Sequence, residues 1–210
     1  ASQRVKHRFC CPGGLRVVVV SLTLITPPTV EPVSLAEAKL HLRVDFDDDD
    51  ALIESLISAA RVAAETLTGR QICTARWMRT LDGFPCSSLH LHRCPVQSVV
   101  EISYQDQSGQ WQTVDPSIYV SDLTSEPARI TPRFGNTWPI TLSQIGVVRV
   151  VFDAGYGTPG DVPEGLKSWI KLRIGSLYAH REEMSILSKG RIDPLPFVDG
   201  LLDPYRVALV

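Results

Sequence analysis

The chain has 210 residues, 44% of them hydrophobic and 21% charged, which is enough for one generous globular domain or two small ones with a real core. Its formal charge of -2 supplies no field strong enough to hold nucleic acid or an acidic surface. Residues 1–16 carry Arg4, Lys6, Arg8 and Arg16 without an acid, so the body downstream has 17 basic against 23 acidic residues and is unsuited to gripping DNA phosphates by itself.

No uninterrupted apolar run reaches the roughly 18 residues of a bilayer-spanning helix, so an integral helical membrane protein is excluded. The five cysteines have no repeated spacing in a chain too long to need staples, and they read as reduced thiols in a cytosol.

The N-terminus is basic and then apolar from Val17 to Ile25, an outline shared with signal peptides. No small-x-small cleavage site follows, Pro27 and Pro28 stand there instead, and Val17–Val20 suits a β-strand. A tail or edge strand is expected; a further reading makes residues 1–20 an extension, with an alternative start near Val20. Thr26–Pro32 is an extended linker, because Pro27, Pro28 and Pro32 deny it helix or central strand. A short helix then begins at Ser34, where Ser34 and Glu37 have the S-x-x-E capping-box spacing and Leu35, Ala38 and Leu42 share a face. Leu40 falls on the opposite side and predicts a second contact, with another subunit.

Asp47–Arg70 has the strongest periodicity in the chain. Leu52, Ile53, Leu56, Ile57, Ala60, Ala63, Ala64 and Leu67 recur at spacings of 3, 4 and 7, the stripe of an amphipathic helix. Aspartates at its start can cap free amides and favour the positive end of the dipole, and Gly69 can end it in a left-handed conformation. A stripe half made of alanine lets a partner helix approach closely.

From Gln71 the pattern turns to alternation and turn signals. Strands are predicted at Ile72–Leu81, Ser88–His92, Val99–Gln105, Gln110–Val114, Ile118–Ser121, Ala128–Thr131 and Val147–Ala154. Asp106–Gly109 predicts a hairpin turn, and Pro132–Ile145 a loop pinned by Phe134 and Trp138. Gly155–Gly160 closes this region. Val162-Pro163-Glu164 opens another helix with proline in its first turn, and Leu166, Trp169, Ile170, Ile174 and Leu177 give it an apolar face to about residue 182. Beyond Met184, Gly190, Pro194, Pro196, Gly200 and Pro204 break a segment that stays apolar, and such a tail must pack on its own body or on a partner.

Three constellations could carry chemistry. The run Asp45, Asp47, Asp48, Asp49 and Asp50 could bind a hard cation, but it lacks the glycine and distal glutamate of an EF-hand, and aspartates opening a helix explain it without metal. Cys86, His90, His92 and Cys94 are zinc-type ligands, yet on a strand the outer pair would be about 26 Å apart, too far for one tetrahedral ion. Nucleophilic catalysis finds no G-x-S-x-G elbow or cysteine signature, and neither nucleotide-binding glycine motif is present. His41 and His180 lie on the first and last helices. No catalytic residue, cofactor or metal is assigned.

Ser34-Leu35-Ala36-Glu37-Ala38-Lys39, His41-Leu42-Arg43-Val44-Asp45 and the acidic opening of a helix ending Leu67-Thr68-Gly69-Arg70 resemble the start of the tailed-phage head-tail connector proteins. The likeness continues through Leu81-Asp82-Gly83-Phe84-Pro85, Trp138-Pro139, Val150-x-Phe152-x-Ala154-Gly155-Tyr156-Gly157, Val162-Pro163 and Leu201-Leu202-x-Pro204-Tyr205-Arg206, and covers roughly residues 21–207.

With the periodicities above, an α+β fold is expected. It has a small helical bundle (helices near 35–43, 48–68 and 163–182), a β-rich insertion over 71–160, an extended N-terminal segment 1–33 and a C-terminal arm 184–210; the bundle draws on 34–70 and 161–183.

The resemblance implies a non-enzymatic virion protein. It would be an adaptor forming a dodecameric ring under the portal protein, docking the stopper or a tail-completion protein and letting DNA pass as transiting cargo. It would be assembled in the host cytoplasm and kept in the virion neck. It also implies a portal-binding arm, here Leu195, Phe197, Val198, Leu201, Leu202, Tyr205 and Arg206. The subunit contact falls to Leu40, Ala60, Ala63 and Ala64, and Asp47, Asp48, Asp49 and Asp50 become channel-facing acids that repel DNA phosphates. The rival readings are a secreted or envelope-associated β-rich binding module and a small metal-dependent enzyme.

Overall fold

The computed structural model describes residues 3–11, 14–86, 88–180 and 200–207, with backbone alone over 3–20. The fold is α+β and divides into two compact units. One contains residues up to Pro27 together with Thr74–Gly155, and the other runs Pro28–Cys73 and on from Tyr156.

Among its described residues the first unit holds nine strands in two antiparallel sheets. Strands β1 (Gln3–Cys11), β2 (Gly14–Thr26), β3 (Ala75–Leu81), β9 (Val148–Ala154), β5 (Val96–Gln105) and β6 (Trp111–Thr113) lie in that order in the larger sheet. Strands β4 (Leu89–Leu91), β8 (Ala128–Pro132) and β7 (Tyr119–Asp122) form the smaller one. The apolar run Val17–Ile25 is thus part of a strand, paired with β3 from Ser21 to Thr26. All seven strands predicted between 72 and 154 form, with ends shifted by a few residues. The first begins at Ala75 because Ile72 and Cys73 are buried in the helical core.

Strand β9 shows the period of two at its clearest: Val148, Val150, Phe152 and Ala154 are buried while Arg149 points out. Leu89, Leu91, Ala128 and Ile130 of the small sheet pack with them in one core. The turn at Asp106–Gly109 forms as expected: the Gly109 amide donates to the Asp106 carbonyl at 2.9 Å and Gly109 takes φ +80°.

Among its described residues the second unit packs the helices α1 (Leu35–Leu42), α2 (Asp50–Thr68) and α3 (Glu164–Ala179). The capping box of α1 is present in both directions: the Glu37 amide donates to Ser34 Oγ at 3.2 Å and the Ser34 amide to Glu37 Oε2 at 2.9 Å. The Ser34 amide first, and then the Ser34 hydroxyl, which donates to Glu37 Oε2 at 2.9 Å, hold the Glu37 carboxyl below its ordinary pKa. Ile53, Ile57, Ala60 and Ala64 form the seam of α2, and it closes against Ala38 of α1 and Leu166, Trp169, Ile170 and Ile174 of α3. Gly69 ends α2 at φ +73° with its amide on the Glu65 carbonyl.

The opening of α2 departs from expectation. Asp49 at the N-cap makes no side-chain cap, and its Oδ2 accepts the Tyr178 hydroxyl of α3 instead. Among the described residues no helix is long and apolar enough to cross a membrane.

Candidate interaction surfaces

The helical unit carries a buried polar cluster that periodicity does not reveal. On α2, Arg61 and Glu65 are 7% and 8% exposed. Arg61 donates through Nε and Nη2 to both carboxylate oxygens of Glu31, at 2.7 and 3.2 Å, and through Nη1 to Glu65 Oε2 at 3.1 Å. Oε1 of Glu65 accepts the Ile72 amide at 3.1 Å and Gln71 Nε2 at 2.7 Å. Burial works against the Arg61 charge, but the Glu31 and Glu65 carboxylates outweigh it and hold its pKa above the ordinary value. One helix face thereby fixes two extended segments, the linker at Glu31 and the stretch after Gly69. Beside it lies the Cys73 thiol, which burial, then the Glu31 charge, push up to about 12.

The tail residues divide. Leu202 is fully buried in the helical core, with Leu201 and Tyr205 half-buried against it. Arg70 Nε donates to the Tyr205 carbonyl and the Val207 amide to the Thr68 carbonyl at 2.9 Å. A Cβ on Gly165 would lie 2.8 Å from Tyr205 Oη, so glycine there admits the ring. Of the predicted portal-binding residues described, only Arg206 is well exposed, paired with Asp203 at 3.2 Å. Leu195, Phe197 and Val198 lie outside the described residues.

The four predicted channel acids do not act alike. Lys39 Nζ reaches Asp47 Oδ1 at 2.6 Å and Asp50 Oδ1 at 2.7 Å. The two contacts raise the Lys39 pKa, Asp47 foremost, and Lys39 lowers that of Asp47. With Asp49 on Tyr178, Asp48 is the exposed acid of the four that has no side-chain partner among the described residues.

The predicted subunit contact needs a correction. Ala60 and Ala64 are 0% exposed inside the chain's own seam, and Ala63 is half-buried against it. They are consumed by α3 and α1, whereas Leu40 is 81% exposed. The free face of α2 is instead Leu52, Ser55, Ala59, Val62 and Thr66, at spacings of 3, 4, 3 and 4. Ser55 Oγ donates to the Leu52 carbonyl at 2.7 Å and Thr66 Oγ1 to that of Val62 at 2.8 Å, so both hydroxyls are satisfied within the helix.

In the β unit, the loop Pro132–Ile145 is pinned by Trp138, which stacks on Phe84 at 4.6 Å between centroids and an interplanar angle of 3°. Backbone bonds tie it further: the Arg133 amide to the Ile118 carbonyl at 2.8 Å and the Leu142 amide to that of Gln105 at 3.0 Å. Phe134, expected to pin it too, is 103% exposed, and Ile140 and Ile145 follow at 75% and 84%.

The zinc-type residues are engaged otherwise. Cys86 is disulfide-bonded, against the expectation of reduced thiols, whereas Cys73 and Cys94 are free and buried. His90 bonds Ser88 Oγ at 2.9 Å and His92 Nδ1 lies 3.1 Å from Arg79 Nη1. Arg79 itself points into the sheet core, 4% exposed, and burial lowers its pKa to about 10. No group of three or more His, Cys, Asp or Glu among the described residues is placed to hold a metal ion.

One chain in the virion of a native gene transfer agent particle has this fold with a TM-score of 0.74 at 22% identity, over 90% of this chain and 96% of that one. A chain in the neck of an empty gene transfer agent particle computed with C6 symmetry gives 0.73 at 24%, and one in the neck of a native particle computed with C12 symmetry 0.72 at 23%, both with the same coverage. At such identities the likeness is one of fold. No curated protein matches the chain. Residues 32–126 match the family model of the phage gp6-like head-tail connector proteins. That stretch takes in the capping box, the whole of α2 and strands β3 to β7, and over it the sequence is similar to the phage head-tail connector proteins.

Proposed function

We propose that this chain is a head-tail adaptor of the virion neck. Copies form a dodecameric ring under the portal protein, hold the stopper or tail-completion protein below, and leave a channel through which DNA passes as cargo. The observation that carries this reading is the likeness of fold over 90% of this chain and 96% of a gene transfer agent virion chain, joined to the connector-family match over residues 32–126. The C6 and C12 symmetries of the related necks favour a closed ring. No catalytic residue or cofactor enters the reading.

Within it, Leu202 and Tyr205 anchor the arm to its own helical unit, and portal contact falls to Leu195, Phe197, Val198, Leu201 and Arg206. Leu40 is a candidate subunit contact. Asp48 is the acid best suited to face transiting phosphates, because its charge is not offset by Lys39. Assembly takes place in the bacterial cytoplasm.

Cryo-electron microscopy of the particle that carries this chain tests the proposal. A ring of this chain between portal and tail is expected; its absence from the neck refutes the reading. Asp48→Asn should slow DNA ejection with assembly intact, and unchanged ejection kinetics would remove the channel role.

A further inference from the structure

A closed ring of identical chains needs two different surfaces on each copy, one received by the other. Among the described residues, each unit offers an exposed apolar surface. The first is the loop Pro132–Ile145, which exposes three large side chains, Phe134, Ile140 and Ile145, at 103%, 75% and 84%. Singly exposed apolar residues are ordinary, but three within twelve residues on a loop pinned by Trp138 and backbone bonds form a presented anchor. The second is the free face of α2. It runs about 21 Å from Leu52 to Thr66 at 1.5 Å per residue, and its exposed Leu52 and Val62 flank the small Ala59. The inward-turned hydroxyls of Ser55 and Thr66 leave that face with no demand for a polar partner.

Charge distinguishes the occupant. Across Pro132–Ile145 the only charged residue is Arg133, exposed and without a side-chain partner among the described residues. The α2 face is bordered by Glu54, in the i±4 row that leads to Val62, likewise exposed and unpartnered. From Asp45 to Ala60 there are six acids and no base. A cationic apolar knob and an acid-rimmed apolar face on one polypeptide are complementary to each other.

We infer that the Phe134 loop of one copy docks on the Leu52–Thr66 face of α2 in a second copy of this chain, with Arg133 meeting Glu54. The inference rests on the ring reading above and names the contact that would close the ring. Phe134 is the anchor over Ala59, where the small side chain leaves room for the ring, and Ile140 and Ile145 cover Leu52 and Val62.

The test uses the full chain, followed by sedimentation and native mass spectrometry over rising concentration. The wild type should form rings. Phe134→Asp should weaken association about thirty-fold or more, as for loss of an interface anchor, while its circular dichroism and melting temperature stay those of the wild type, because the side chain is fully exposed. Arg133→Glu and Glu54→Arg should each weaken association roughly tenfold, and the double reversal should restore it to within about twofold. If rings form and Phe134→Asp leaves them intact, or if the double reversal fails to rescue, this contact is overturned while the ring stands. A wild type that stays monomeric at every concentration overturns both.

Discussion

Replacing Glu65 with alanine is the sharpest test of how the helical unit is held together. The carboxylate is 10% exposed and Arg61 9%, so neither group is screened by solvent. Its removal leaves the Ile72 amide without its acceptor and leaves the Arg61 guanidinium with Glu31 and, at 3.4 Å, the Ser58 hydroxyl, while Gln71 keeps the Cys73 carbonyl at 3.0 Å. An orphaned buried donor costs about 1–3 kcal/mol and breaking a buried ion pair about 3–5 kcal/mol. The two overlap, and Arg61 retains Glu31 and Ser58, so about 3–4 kcal/mol is expected for Glu65→Ala.

Urea unfolding followed at 222 nm, which reports the helices, should show that loss. Exchange of the Ile72 amide should accelerate by about two to three orders of magnitude, the same free energy read locally. Glu31→Gln, at a carboxylate that is 34% exposed, should cost only about 1 kcal/mol. A Glu65→Ala protein that loses less than 1 kcal/mol, or that keeps Ile72 protected, would refute the idea that this cluster fixes the segment after α2.

Three further outcomes follow from the same structure. Cys73 titrates near 9.0 when unfolded and is pushed up to about 12 when folded. Its contribution is therefore whole below pH 9 and falls by about 1.4 kcal/mol per pH unit above it until the folded thiol ionises; Cys73→Ala should flatten melting temperature against pH between 9 and 11, and parallel curves would refute this. Arg79 is a buried cation whose Nε has no acceptor among the described residues, so Arg79→Met should be neutral or stabilising by about 1 kcal/mol in urea unfolding; a loss above 2 kcal/mol would mean that its bond to His92 outweighs its desolvation. Leu202→Ala empties a fully buried site and should cost about 2–4 kcal/mol while raising proteolysis near the C-terminus; an unchanged digest would argue against the anchoring role of 200–207.

Much of the fold is written locally. The α1 capping box, the α2 seam and the alternation of β9 each place a periodic or capping signal within one element, and each forms where its residues specify. The hairpin at Asp106–Gly109 is equally local. What the sequence hides is pairing across distance. Arg61 and Glu65 stand beside the seam at an ordinary i,i+4 spacing, which reads as a surface ion pair until Glu31 and Ile72 are brought to them from 30 residues before and 7 after. Lys39 likewise takes up two of the four aspartates from another helix. Composition counts those acids as free charge; the fold does not. A stripe also tells which residues are apolar and not which helix consumes them, and so Ala60 and Ala64 look available when α3 already covers them.

Phe134 and Trp138 put the same point in its most useful form. Both are aromatics in a proline- and glycine-bearing loop, and nothing local separates them. Trp138 becomes a pin because Phe84, from the turn after β3, offers a parallel ring, with Tyr119 and Tyr104 completing an aromatic cluster around the pair. Its Nε1 is buried without an acceptor among the described residues, and the stacking offsets that cost. Phe134, four residues earlier, finds no such ring and stays in solvent. A chain that fixes one aromatic this firmly while leaving its neighbour 103% exposed is not short of apolar partners; it has oriented a rigid loop outward. The hydrophobic free energy of that side chain is then unrealised in the monomer and available on association. The proposed contact with a second copy would draw on that free energy.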